Sequence, residues 1–153
     1  PVADIMSRLD LMPMTGRAEA GSLLTATVVG QDEAYALTEL DLLGQRIVIP
    51  RVEHALGTVM RLRVRARDVA IATSPLTGLS IRNLLRGRVR SVEAERGAFA
   101  ELTVDLGGQL LRARVTRRSA DELALRPGRE VTALIRTVSI ERRLLTPGTS
   151  EDR

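Results

Sequence analysis

The sequence contains no cysteine and a single histidine, His54. Disulfides and thiol nucleophiles are therefore excluded, and zinc sites or Ser-His-Asp chemistry would need more ligands than the chain offers. Tryptophan is absent, and Tyr35 and Phe99 are the only aromatic residues, so a core must be built from Val, Leu, Ile and Ala. Single-strand nucleic-acid binders stack bases on aromatic rings, and two rings leave little to stack on; nucleic acid is a poor fit as a partner. No apolar run approaches the roughly 20 residues needed to cross a bilayer, and no basic-then-apolar leader opens the chain, so a soluble domain in a reducing compartment is expected. No Gly-x-x-x-x-Gly-Lys-Ser/Thr phosphate loop is present, so this chain alone is not expected to hydrolyse ATP. Nor can a nucleophile-base pair or a cluster of metal ligands be assembled from its residues, which argues against an independent enzyme and against a metal cation.

What is present is an ordinary globular composition, with 44% hydrophobic and 27% charged residues. At 153 residues the chain can form one domain or two small ones, and its internal pattern favours two. The formal charge of +4 and the high isoelectric point come from arginine, which favours anionic partners.

Residues 1–20 hold Pro1, Pro13 and Gly16 among scattered Leu and Met, and read as a linker. From Gly21 short β-rich runs follow: Leu23 to Val29, Tyr35 to Thr38, Gln45 to Ile49, and Thr58 to Ala72. In Val59 to Arg67 apolar residues alternate almost strictly with Arg, placing one face in a core and a row of guanidinium groups outside. After the turn-rich stretch Thr73 to Gly78 the pattern recurs. Asp41-Leu42-Leu43-Gly44-Gln45 is answered by Asp105-Leu106-Gly107-Gly108-Gln109, and Arg67-Asp68-Val69-Ala70-Ile71 by Arg136-Thr137-Val138-Ser139-Ile140. In the second copy strands are expected over Arg86 to Val92, Ala98 to Leu106, Gln109 to Thr116 and Glu130 to Ile140, with a tight turn at Gly107-Gly108 and a short helix over Ser119 to Leu125. The expected fold is all-β with one short helix: two tandem OB-like small barrels, over residues 21–73 and 79–142, and a frayed tail over 145–153.

Ser80-Ile81-Arg82-Asn83 gathers a hydroxyl, a guanidinium and a carboxamide within four residues, and no carboxylate lies between Thr73 and Val92. Such a cluster of donors suits an oxyanion, which only accepts hydrogen bonds. Ser80 and Arg82, two apart, share a face if the segment is extended. In the first copy Glu19-Ala20-Gly21 stands at the corresponding place, and a carboxylate there would repel a dianion.

Three motifs in order, Ser80-Ile81-Arg82-Asn83, Thr116-Arg117-Arg118-Ser119, and Leu125 through Ile140, resemble the molybdate/tungstate-binding Mop module of the TOBE superfamily. The phrase Val64 to Ile71, leading through a short hinge into Ser-Ile-Arg-Asn, is similar to the carboxy-terminal regulatory region of the ATP-binding subunit of bacterial molybdate ABC importers. The resemblance implies that residues 1–20 follow an ATPase domain lying outside this chain. It further implies an oxyanion site for molybdate or tungstate made by Ser80, Ile81, Arg82, Asn83, Ser119, Arg136 and Thr137, at an interface between the barrels of a homodimer. A role in modulating transport by trans-inhibition, association of the parent with a membrane permease, and a place at the cytoplasmic face of the bacterial membrane are implied in the same way. Arg136 stands where many family members have Lys, and its fork-shaped group is bulkier. Structural readings stay open beside these: Ser80 as a turn cap, Arg82 and Arg136 paired with Glu101, Asp121 or Glu122, and Ser119 as a helix N-cap with Glu122 closing a capping box. A dimerisation scaffold with a degenerate pocket is the alternative function.

Overall fold

The alternation in Val59 to Arg67 is realised as a strand with Met60, Leu62 and Val64 fully buried on one face and Arg63 and Arg65 exposed on the other. The computed structural model describes residues 21–94, 96–136 and 138–140. The expected linker over residues 1–20, the expected tail over 145–153 and, among the expected site residues, Thr137 lie outside the described residues.

The first half runs β1 (Gly21–Asp32), β2 (Leu37–Leu42), β3 (Gln45–Pro50) and β4 (Val59–Arg65), then a single 3-10 turn (Ala66–Asp68) and β5 (Val69–Ala72). The second runs β6 (Asn83–Ala94), β7 (Phe99–Asp105), β8 (Leu110–Thr116), helix α1 (Arg117–Glu122), β9 (Glu130–Ile135) and β10 (Ser139–Ile140). Among the described residues the architecture is all-β with one short helix, in two curled five-stranded sheets of OB-like form. Each half makes an antiparallel meander of its first three strands, and the long first strand also pairs with the fourth. Both long strands carry a bulge at the same point of the repeat, between Val28 and Gly30 and between Val89 and Ser91. No helix of the described residues is long and apolar enough to cross a membrane.

Several expected boundaries shift for local reasons. Tyr35 is not in a strand: Asp32 Oδ1 accepts the Tyr35 N–H at 3.2 Å, Ala36 takes a left-handed φ of 55°, and β2 begins only at Leu37. The expected strand over Thr58 to Ala72 is broken by the 3-10 turn, and that over Glu130 to Ile140 is interrupted after Ile135. The helix starts two residues earlier than expected because Thr116, not Ser119, is its N-cap.

These two interruptions change the topology. The sheet orders are β10-β4-β1-β2-β3 and β5-β9-β6-β7-β8, so the last strand of each half crosses to the other half's sheet. Val69 pairs with Ile135 and Ala70 with Leu134; reciprocally, Ser139 pairs with Arg63 and Ile140 with Leu62. A division at the Thr73 to Gly78 hinge therefore describes the covalent repeat but not the hydrogen-bonded units.

Side chains stitch the halves together in matching pairs. The Gln45 carboxamide accepts from the Arg86 N–H (2.8 Å) and donates to the Arg86 carbonyl (2.9 Å), and Gln109 does the same to Thr25 (2.8 and 3.0 Å). Asn83 accepts from the Val48 N–H (2.8 Å) and donates to the Val48 carbonyl (3.0 Å), while the Ser22 hydroxyl accepts from the Arg112 N–H (2.9 Å). Each such bond contributes roughly 1 kcal/mol net. More stabilisation comes from one hydrophobic cluster common to both sheets, including Leu24, Leu40, Ile47 and Leu62 with Leu85, Leu102, Leu111 and Ile135. Each fully buried Leu or Ile stabilises the fold by about 1.5–3 kcal/mol.

Candidate functional site

Strand exchange brings the start of β5 beside the end of β9, and α1 is carried to the same corner on the end of β8. There a surface depression of about 350 Å³ is lined by Arg67, Asp68, Ile81, Arg114, Thr116, Ser119 and Arg136 over an apolar floor that includes Ile71, Val115, Leu123 and Leu134. The backbone fixes the corner: the Arg136 N–H donates to the Asp68 carbonyl at 2.8 Å, so the two chain breaks that permit exchange are bonded to each other.

The Thr116 to Ser119 turn sets the hydroxyl donors. Thr116 Oγ1 accepts the Ser119 N–H at 3.0 Å, and the Thr116 hydroxyl lies 2.9 Å from Ser119 Oγ, to which it donates. With both groups so engaged, the Ser119 O–H is the hydroxyl left to donate outward. Glu122 does not close a capping box; its carboxylate pairs with Arg118 at 2.8 Å, one helical turn earlier. Arg136 is exposed at the rim, and its guanidinium makes no ion pair with any described carboxylate, Asp121 and Glu122 included. Arg114 lies over the Phe99 ring at 4.2 Å from its centroid, a stacked position that restrains the guanidinium while leaving its edge N–H groups for other acceptors.

Of the expected site residues, Ile81, Ser119 and Arg136 come together in this depression. Ser80 and Arg82 do not line it. Both are exposed, flanking a half-buried Ile81 that does line it. Asn83 is also absent from the lining, because its carboxamide is bonded to the β3 backbone at Val48 as an extra rung. The paired-charge reading of Arg82 finds no described partner either. The residues that sequence reasoning missed are Arg67, Arg114 and Thr116. Thr116 was legible as part of the Thr-x-x-Ser turn, whereas Arg67 ends the arginine-alternating run Val59 to Arg67 and Arg114 lies in a similar run in β8, where alternation alone marks no single arginine as part of a site.

A family model, the TOBE domain, matches residues 79–140. That stretch belongs to the TOBE family. The match spans β6 through β10 and hence most of the depression's lining, but it stops short of Arg67 and Asp68, which the first half supplies to the TOBE domain by strand exchange. Over longer stretches the chain is similar to molybdenum import ATP-binding proteins named ModC. It is 39% identical to that of Mesorhizobium japonicum over 142 residues, covering 93% of this chain and 38% of the relative. It is 41% identical to ModC 1 of Azotobacter vinelandii over 138 residues, covering 90% and 38%. To the ModC of Brucella abortus it is 41% identical over 140 residues, covering 92% and 38%. The chain thus spans less than two-fifths of the length of these relatives. Among solved structures it resembles the cytoplasmic molybdate-binding protein ModG in a form with molybdate bound, with a TM-score of 0.64 and 27% identity, covering 78% of this chain and 95% of ModG. The likeness in fold therefore extends over most of both chains.

Proposed function

We propose that this chain is the regulatory oxyanion-binding part of a molybdate importer's ATP-binding subunit, and that it binds molybdate or tungstate in the depression beside Arg136. The observation that carries the reading is the convergence of Ser119, Arg136, Arg114 and Arg67 from four segments on one corner. A tetrahedral dianion accepts hydrogen bonds and donates none, and this donor set suits it. The one carboxylate in the lining, Asp68, is outnumbered by three guanidinium groups.

Ser80 and Arg82 enter this reading from a second copy of the chain. Exposed and outside the lining of their own depression, they are available to close the depression of a partner, which makes the proposed site a property of a homodimer. Thr137, next to Arg136, belongs to the same proposed site. In the longer parent, the ATPase domain would precede β1, the transporter's permease subunit would be the further partner, and the place of action would be the cytoplasmic face of the membrane. Trans-inhibition follows if the oxyanion binds the resting arrangement of the ATPase pair more tightly than the transporting one, since a ligand shifts an equilibrium only by its differential affinity.

Isothermal titration with molybdate, tungstate and sulfate tests the binding half. Saturable heat with molybdate or tungstate is expected, weakened at least about tenfold in Ser119→Ala and Arg136→Gln by loss of a charge-assisted hydrogen bond. No heat from either metal oxyanion would leave a dimerisation scaffold whose pocket is degenerate, the reading that Arg in place of the more usual Lys at position 136 favours.

A further inference from the structure

Arg126 and Arg129 stand in the turn between α1 and β9, at the opposite end of β9 from Arg136. With six residues in β9, the two ends lie roughly 20 Å apart. The turn is firmly held. The Gly128 N–H donates to the Val89 carbonyl (2.8 Å), the Val89 N–H donates to the Arg129 carbonyl (2.9 Å), and the Arg129 N–H closes back on the Arg126 carbonyl (3.0 Å). Gly128 takes a left-handed φ of 96°, which lets the chain reverse there without strain.

Charge around this turn is unevenly distributed. The neighbouring carboxylate, Glu130, is occupied by Arg88 at 2.7 Å, and Arg88 also donates to the Gly128 carbonyl at 3.2 Å. Arg126 and Arg129 make no side-chain hydrogen bond or ion pair with any described residue. The Arg129 Nε is nevertheless sealed from solvent, so a donor of a charged group is buried without an acceptor. That arrangement carries a desolvation penalty, which is relieved if the side chain turns its Nε–H toward an anion in the adjoining depression. Arg129 lines a depression of about 560 Å³ together with Arg126, Glu130 and Thr73, the last of which is in the hinge between the two halves.

We propose that this depression is a second anion site, which takes a small tetrahedral oxyanion of the phosphate or sulfate class on Arg126 and Arg129, with the Thr73 hydroxyl as a third donor. Its lining shares no residue with the depression beside Arg136, so it does not depend on the molybdate reading. Because Thr73 belongs to the hinge and Arg129 to the β9 turn, an occupant would tie the connection between the halves to the second sheet.

The test is a phosphate and sulfate titration of this chain at constant ionic strength, with chloride as the balancing salt, followed by nitrogen-proton spectra that resolve the arginine Nε–H groups. A saturable shift of the Arg129 Nε–H signal is expected with phosphate or sulfate and none with chloride. In Arg126→Gln, a change at an exposed residue read at the Arg129 Nε–H, and in Arg129→Gln, read at the Arg126 Nε–H, the midpoint should rise at least about tenfold while the response to molybdate stays as in the unsubstituted chain. Absence of a saturable shift in the unsubstituted chain, or a midpoint unchanged in Arg126→Gln, would overturn the proposal. A chain that ignores molybdate yet answers phosphate through Arg126 and Arg129 would refute the importer reading and leave this one standing.

Discussion

Asp105 holds the Gly107-Gly108 turn by accepting both N–H groups on one oxygen, at 2.8 and 2.9 Å. Those two bonds, chiefly that from Gly108, keep its carboxyl below its ordinary value. A carboxylate with a lowered folded-state value contributes stability that is fully present well above the ordinary aspartate value of about 3.9, and that stability is lost as pH falls through the folded value. The melting temperature should therefore drop more steeply below about pH 4 in the unsubstituted chain than in Asp105→Ala, which a pH series of thermal melts would check. Glu53 is lowered in the same direction by Arg51, which it shares with Glu33, but both carboxylates are exposed and the cluster should respond to salt. Asn83 gives a second test. Replacing it by Leu leaves the Val48 N–H and carbonyl without their side-chain partners and should cost about 1–3 kcal/mol in urea unfolding. At this scale the donors were legible in the sequence, and their assignments were not. Asn83 and Ser119 both stood out as polar residues in a suggestive place, but whether a carboxamide bonds an anion or a neighbouring backbone depends on a strand 35 residues away.

Between elements, close approach is the controlling constraint. A Cβ on Gly87 would stand 2.6 Å from the Asp105 carbonyl and 2.7 Å from Val104 Cγ1, so β6 and the end of β7 can meet there only at glycine. Gly87→Ala should destabilise the fold by about 1–3 kcal/mol, measured by urea unfolding. Strand exchange makes a stronger demand. A chain ending at Thr73 would have β4 without β10, β5 without β9, and Thr25 and Val48 without the side chains of Gln109 and Asn83. Neither half is expected to give a dispersed proton-nitrogen spectrum alone, and mixing the two should restore one. The repeat itself was readable from the recurring Asp-Leu-x-Gly-Gln and the final Val-x-Ile phrases. The exchange was not, because apolar alternation states which face of a strand is buried and is silent about which sheet receives it. The physical signal is the pair of breaks, at Ala66–Asp68 and after Ile135, where a continuous strand was expected.

For the molecule as a whole, two separate depressions are lined by arginines, Arg67, Arg114 and Arg136 in one and Arg126 and Arg129 in the other. The proposed oxyanion site needs two chains, and that dependence can be measured. Arg82→Gln and Arg136→Gln subunits should each bind molybdate poorly. Mixed in equal amounts and allowed to exchange freely, they should regain sites in which one subunit supplies Arg82 and the other Arg136, to about a quarter of the capacity of the unsubstituted dimer, because half of the dimers are mixed and each of those has one intact site of two. Failure to regain any sites would place both residues in the same chain's pocket or in none. At about 100 times the dissociation constant, molybdate should stabilise the dimer by roughly 2.7 kcal/mol per occupied site, a shift readable in its melting temperature. The most direct measurement is a crystal of this chain grown with tungstate, whose strong scattering locates the ion without reference to any side chain. One ion is expected beside Ser119 and Arg136 of one subunit, closed over by Ser80 and Arg82 of another. An ion bound away from Ser119 and Arg136, or no ion in a saturated crystal, would contradict a shared oxyanion site.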